Sequence, residues 1–420
     1  MKKYRSSMVF VPGGMPELTY IERVESSIRD SLESAQDNLC KLVTLTGQTK
    51  SGKTVLSQRV YPELEDNNVW INGGSVEDED DVWEQILSAL DGWTSFEITE
   101  SNGSSNKLKG TGKGKGSVGF ASVDASIGAE TSANSSTATK SSLAMSSKSA
   151  ALKALKASGA NLIIDDFHYF ARDLQGKFVR AVKPLVFHGV AVILIAIPHR
   201  RYDAIKVERE ITGRIENITM PYWEEDELKQ IPLTGFPLLN VEVSDSVVNR
   251  LTIESMGSPH LMQEFCRQLC KVNKIEETRP NTVHIYEFDD SIFQQVGEST
   301  GKIIFDKLST GPRQRSDRIQ RTLTNGEKVD IYKVVLLALA RLKPAMQTVT
   351  YEELRTAVRE ILTDSVPQAH EVTRVLEKMS EIASSDEAST PVIDWEKEEQ
   401  KLHITDPFFA FYLKWGAPQV

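Results

Sequence analysis

Three cysteines, Cys40, Cys266 and Cys270, are all that the 420 residues contain, too few for a disulfide framework. Cys266 and Cys270 lie four apart on a helical stretch, but Cys40 is remote and a closed zinc site takes four ligands. Buried thiols in an intracellular, cytoplasmic protein are the expectation. Long apolar runs are missing too. The longest, Val190 to Ile197, is eight residues, far below the roughly 20 that a membrane-spanning helix needs, so no membrane contact is expected. Lys2, Lys3 and Arg5 resemble the start of a secretion signal. Only Met8-Val9-Phe10-Val11 follows before Pro12-Gly13-Gly14, and no leader core is expected. Positive charge is in deficit: 49 Lys and Arg stand against 59 Asp and Glu, a net charge of −10. That excludes a nucleic-acid polycation, and any such contact has to be a local patch. No internal repeat is found. What remains is a globular composition, 40% apolar, at a length that suits two to three domains.

Strand patterns come first. Leu42 to Thr46 is a short apolar run ending at Gly47, and Val69-Trp70-Ile71 ends at Asn72-Gly73-Gly74. Leu162-Ile163-Ile164 and Val190 to Ile197 are further strands, and Ile215 to Met220 is a weaker one. Helical spacing of Val82, Ile86, Leu87 and Leu90 separates them. Strands alternating with helices predict right-handed crossovers and a mostly parallel sheet. Beyond Pro221 helices dominate: Trp223 to Ile231, Ser244 to Ser255 and Pro259 to Val272. A polar connector, Gly301 to Gly326, carries Arg313, Arg315, Arg318 and Arg321. Then Ile331 to Leu342, Tyr351 to Leu362 and His370 to Ile382 read as three helices, and Val392 to Thr405 as a hairpin. That is a winged-helix arrangement, on which the aromatics of Phe408 to Leu413 are expected to pack.

Gly47-Gln48-Thr49-Lys50-Ser51-Gly52-Lys53-Thr54 satisfies the P-loop pattern at every fixed position, between a strand and a helix. Glycines let successive backbone N–H groups turn inward and cradle phosphate at a helix N-terminus. Lys53 would reach the β- and γ-phosphates and the Thr54 hydroxyl would bind Mg²⁺. Asn161 to Ile164 delivers Asp165 and Asp166 at the C-terminal end of a strand, where open α/β sheets bind ligands. Asp165 would hold Mg²⁺ and Asp166 would polarise the attacking water. The strand at Val69 to Ile71, between the two motifs, points to the additional-strand ATPases. A guanine-specific Asn-Lys-x-Asp motif is absent, the nearest match being Asn273-Lys274-Ile275-Glu276.

This order of motifs resembles the AAA+ superfamily, and within it the STAND and origin-recognition-like branches, with a helical lid followed by a winged helix. Thr19-Tyr20-Ile21-Glu22-Arg23 resembles the segment that covers the adenine, so Tyr20 and Ile21 are candidate base contacts. Asp165-Asp166 is similar to the STAND acidic pair. Gly257-Ser258-Pro259-His260 resembles the STAND Gly-x-Pro lid motif, which implicates Pro259 and His260 in nucleotide binding. The resemblance places a γ-phosphate sensor at His199 or Arg200. It places a trans-acting arginine finger at Arg214, with Arg209 as the alternative. The lid arginine of AAA+ motors is missing, which favours a slow switch over a fast motor.

The expected fold is therefore α/β: a P-loop NTPase of additional-strand type with a parallel five-stranded sheet, a helical lid and a C-terminal winged-helix domain. The expected boundaries are 1–37 for the N-terminal and adenine-side segment, 38–222 for the core, 223–300 for the lid, 301–328 for the basic connector and 329–420 for the winged helix. Within the core, 97–140 is a Gly/Ser-rich insertion. Residues 101–150 hold 7 Gly and 14 Ser, and the alternation of Val118, Phe120, Val123, Ala125 and Ile127 leaves a hairpin and a flexible linker both open. Residues 302–343 carry a net charge of +6 and residues 344–420 a net −7, so the wing suits a protein or intramolecular contact better than DNA. DNA stays open through the arginine-rich connector. The expected activity is Mg²⁺-dependent ATP binding and hydrolysis, with ATP and ADP setting conformation and homo-oligomer assembly. A separate effector or partner protein is expected, in what the resemblance suggests is a prokaryotic defence or regulatory system. The alternatives are a DNA-handling AAA+ ATPase and an ATP-binding scaffold without turnover.

Overall fold

The computed structural model describes residues 2–23, 27–37, 40–63, 67–90, 95–99, 140–144, 146–197, 213–312, 318–344, 346, 348–384 and 391–420. Its centre is a five-stranded parallel sheet. The strands are β1 (Leu42–Thr46), β2 (Asn68–Asn72), β5 (Asn161–Asp165), β6 (Val192–Ala196) and β7 (Ile215–Thr219), in the order β2-β5-β6-β1-β7. Between β2 and β5 the chain adds β3 (Ser95–Thr99) and β4 (Lys140–Ala144), which pair antiparallel. They form the base of the insertion, whose alternating segment from Val118 to Ile127 lies outside the described residues.

The central strands β1, β5 and β6 are buried at every position. A parallel strand covered on both faces has to be apolar on both, which is why they read as continuous runs. Alternate residues feed two cores. Leu42, Leu162, Ile164, Val192 and Leu194 face Trp83 and Phe178 on one side. Val43, Leu45, Ile163, Ile193 and Ile195 face Leu32, Leu56 and Tyr61 on the other. At the edge, β7 buries only Ile218, which accounts for its weak sequence signal. The register sets Thr46 beside Ala196 and Asn72 beside Asp165, so β1, β2, β5 and β6 all end on one side of the sheet.

The lid contains helices Glu225–Leu238, Asp245–Glu254, Pro259–Val272 and Ser291–Thr300, with a short parallel pair, β8 (Val241–Val243) and β9 (Val283–Ile285). The first helix does not stop at Ile231 as the following Pro232 suggests. Pro232 and Pro237 both lie inside it, and its buried face of Leu228, Ile231, Pro232, Gly235 and Phe236 outweighs the two missing donors. Val9 and Phe10 from the N-terminal segment are buried in this lid core. Their approach depends on Gly235, where a Cβ would stand 2.4 Å from the Phe10 ring.

Residues 302–310 form a helix, Lys302–Thr310, rather than a polar connector, because Phe305 and Leu308 are buried in the next core. A small hairpin of β10 (Arg321–Thr322) and β11 (Lys328–Val329) follows. The C-terminal unit then has helices Ile331–Leu342, Tyr351–Ile361 and Ala369–Ser384. A three-stranded sheet completes it, β12 (Thr348–Thr350), β13 (Ile393–Glu396) and β14 (Lys401–Ile404), in the order β12-β14-β13. This is a winged helix. The terminal helix Pro407–Trp415 packs on it only in part. Phe409, Tyr412 and Leu413 enter the winged-helix core, whereas Phe411 enters the lid core. Among the described residues, no helix is long and apolar enough to cross a membrane.

Candidate functional site

The P-loop leaves β1 at Gly47 and feeds the helix Lys53–Val60. A Cβ on Gly47 would lie 2.8 Å from Met220 Cβ, so glycine is what lets the loop pass the end of β7. Lys50 (φ +57°) and Gly52 (φ +92°) are left-handed, which curls the loop around its own backbone donors. Lys53 is 8% exposed. Its Nζ donates to the carbonyls of Gly47 at 3.0 Å and Gln48 at 2.8 Å. Burial lowers its pKa to about 8, with Asp166 and Asp165 opposing. Gln48 Nε2 is buried with no partner among the described residues.

Asp165 ends β5 facing the loop. Its Oδ1 accepts from Thr54 Oγ1 at 3.3 Å and from the Asp166 N–H at 2.9 Å. Burial raises its pKa, against the pull of those two donors. Asp166 is left-handed at φ +52°. Its carboxyl is pushed up to about 6, first by burial and then by Asp165, with Lys53 opposing. The two acids therefore stand in different surroundings. Both line the cavity, but Asp165 is occupied by local donors.

That cavity has a volume of about 680 Å³ and runs from Lys53, Thr54, Asp165 and Asp166 to Tyr20, Ile21, Pro259 and His260. Its size suits a nucleotide-sized ligand. The structure thus brings the predicted phosphate, metal and base-side residues to one space. A hydroxyl and a carboxylate 3.3 Å apart are the hard oxygen donors that Mg²⁺ takes together with phosphate and water, so the residues present fit that ion. Among the described residues, no group of three or more His, Cys, Asp or Glu could hold a metal alone. Cys266 and Cys270 are buried. Burial pushes the Cys270 thiol up to about 12 and raises that of Cys266 as well.

Several contacts of the site carried no sequence signal. Trp223 Nε1 donates to the Ser51 carbonyl at 2.8 Å, pinning the start of the lid to the P-loop. The Arg23 guanidinium lies 4.8 Å from the Trp223 ring and donates to the carbonyls of Pro221 and Tyr222 and to Glu227. Arg59 stacks 4.1 Å from the Tyr20 ring and donates to Pro16 O at 2.8 Å. Gln263 accepts from the Val11 N–H at 3.1 Å and donates to Thr19 Oγ1 at 2.9 Å. The segment predicted to cover the base is thereby fastened to the core, to the hinge at residues 221–223 between core and lid, and to the lid at once.

His199, Arg200 and Arg209 lie outside the described residues, as do Arg313 and Arg315. Arg214 is exposed at the opposite end of the sheet from the P-loop, its carbonyl accepting from the Leu42 N–H at 2.8 Å. The length of β1 separates it from the P-loop, about 13 Å, so it does not serve the phosphates of its own chain. Arg318 pairs with Asp330 at 2.6 Å, and Arg321 pairs with Glu371 at 3.2 Å and is 7% exposed. Those two guanidiniums are engaged internally rather than displayed to a nucleic acid.

No family model matches the sequence, and no curated protein matches it. Solved structures do. A Walker-type ATPase of Pyrococcus abyssi is similar with a TM-score of 0.55 at 13% identity, covering 97% of this chain and 99% of its own. Cdc6p from Pyrobaculum aerophilum is similar over 97% of this chain and 96% of its own, at 12% identity and a TM-score of 0.42. A STAND protein with a tetratricopeptide repeat sensor from Pyrococcus horikoshii matches 94% of this chain and 42% of its own, at 13% identity and 0.35. The likeness is one of fold: this chain shares the overall architecture of that Walker-type ATPase.

Proposed function

We propose that this chain binds ATP with Mg²⁺, hydrolyses it slowly, and uses the difference between ATP and ADP to switch conformation and self-assembly. The observation that carries the reading is the convergence of Lys53, Thr54, Asp165 and Asp166 on one cavity that also reaches Tyr20 and His260. The P-loop amides and Lys53 hold the phosphates; Thr54 and Asp165 hold the ion. Asp166, with its pKa near 6, is ionised at neutral pH and orients the attacking water. Arg214, too far from its own P-loop, acts on a neighbouring subunit's nucleotide, while His199 or Arg200 senses the γ-phosphate. A DNA-handling role is less well supported, because Arg318 and Arg321 are held by Asp330 and Glu371.

Light scattering of the wild type and of Asp166→Asn, with ADP and then with ATP and Mg²⁺, tests the reading. The variant binds ATP without turning it over and grows to a defined oligomer with ATP alone. A mass that does not change with nucleotide would sink the assembly claim. Complete absence of turnover in the wild type would leave a nucleotide-binding scaffold.

A further inference from the structure

The terminal helix Pro407–Trp415 locks the lid to the winged helix. Phe411 reaches across to Phe265 and Phe293, with ring centroids 5.1 Å and 6.1 Å away. Next to them the backbones touch: a Cβ on Gly297 would stand 3.1 Å from Gly416 N. Glu254 of the lid is 7% exposed and accepts from Lys414 Nζ and from Trp415 Nε1, each at 2.7 Å. Parting these elements would expose an aromatic cluster and strand a desolvated carboxylate. Lid and winged helix therefore move as one body.

That body meets the phosphate loop at Lys50. The Lys50 Nζ lies 3.2 Å from Asp406 Oδ2 and 3.5 Å from the centre of the Phe408 ring. Asp406 is itself fixed, because its Oδ1 accepts from the N–H groups of Phe408 and Phe409 at 2.9 Å. Phe408 meets the His260 ring edge-on at 4.7 Å, and both His260 and Lys50 line the cavity. One ammonium thus stands between the nucleotide space and the first turn of the terminal helix. An ammonium in a partly desolvated cavity takes its strongest acceptor, and a carboxylate and a terminal phosphate compete for it.

We propose that Lys50 is a second nucleotide-state sensor, beside the one at His199 or Arg200: with ADP it stays clasped to Asp406, and the terminal phosphate of ATP draws it away and frees lid and winged helix together. This rests on the nucleotide-binding reading above. The clasp slows ADP release, and its loss biases the site toward ATP.

Two substitutions isolate the contact. Asp406→Asn keeps the helix cap, since Asn caps as well as Asp, and removes the charge. Lys50→Met keeps the stem over Phe408 and removes the ammonium. Release of a fluorescent mant-ADP is expected to be about 3- to 10-fold faster in each variant, and no faster in the double variant than in either single one. Asp406→Asn also shifts relative affinity toward ATP. Release rates in both variants within about twofold of wild type, or effects that multiply in the double variant, overturn the proposal. Small-angle scattering of the unliganded chains is the second readout: the single variants expand relative to wild type, and equal radii of gyration count against the clasp. A wild-type chain that binds no ADP refutes the nucleotide reading, and the scattering comparison then decides the clasp by itself.

Discussion

Gly73 and Asp166 meet backbone to backbone: a Cβ on Gly73 would stand 2.4 Å from the Asp166 carbonyl oxygen. The contact follows from the register, which sets Asn72 beside Asp165 at the ends of β2 and β5. The second acid is left-handed and cannot retreat without turning its carboxyl. Gly73→Ala therefore pushes Asp166 out of line and leaves the P-loop alone. Single-turnover hydrolysis should fall by about 10²-fold, the scale of a misplacement near 1 Å. ADP affinity, read by calorimetry, should stay near wild type. Equal losses in both would show a general disruption of the site instead.

Trp223 tests the link between hinge and phosphate loop. Its Nε1 donates to the Ser51 carbonyl, while its ring supports Arg23. Trp223→Phe keeps a ring and removes the donor, so the Ser51 carbonyl loses a partner. A weakening of ADP binding by about 3- to 10-fold is expected, near 1 kcal/mol for one hydrogen bond. Unchanged affinity would mean that the hinge does not shape the loop.

What could be read from the sequence is what is local. The P-loop is contiguous, and Asp165 and Asp166 end a strand whose burial on both faces forces an apolar run. Pro259 starts its helix where expected because Ser258 caps it and proline suits the first turn. The helix through Pro232 was hidden, since its stability comes from packing around Phe236 and not from propensity. Phe411 read as part of the winged helix, but one residue in a periodic aromatic run decides which core it serves. The clasp was out of reach. Lys50 and Asp406 are 356 residues apart, and Ser51 and Trp223 are 172 apart. No spacing rule joins such pairs.

His260 gives a pH signature. Burial holds its pKa down to about 4; the Lys50 ammonium adds to the effect and Asp406 opposes it. In the unfolded chain an imidazole titrates near 6.5. From about pH 6.5 down to about 4 the unfolded state takes a proton that the folded state refuses, so stability falls as pH drops through that window. Above it the ring contributes no slope. His260→Gln should lose less stability than wild type between about pH 7.5 and about pH 5, measured as urea midpoints. Equal losses would place the imidazole in water in solution.

The position of Arg214 at the far end of β1 makes its role testable by mixing. On the proposed reading, Arg214→Ala has an intact site but no finger to offer. Asp166→Asn has the finger but cannot activate water. Each alone should hydrolyse ATP poorly. In a mixed assembly, an Arg214→Ala site that faces an Asp166→Asn neighbour regains every part. With equal amounts and random assembly about a quarter of the interfaces have that pairing, and turnover should recover in proportion while growing with protein concentration. No recovery at concentrations where light scattering shows mixed assemblies would remove Arg214 from the reaction and leave it a surface cation beside Phe187.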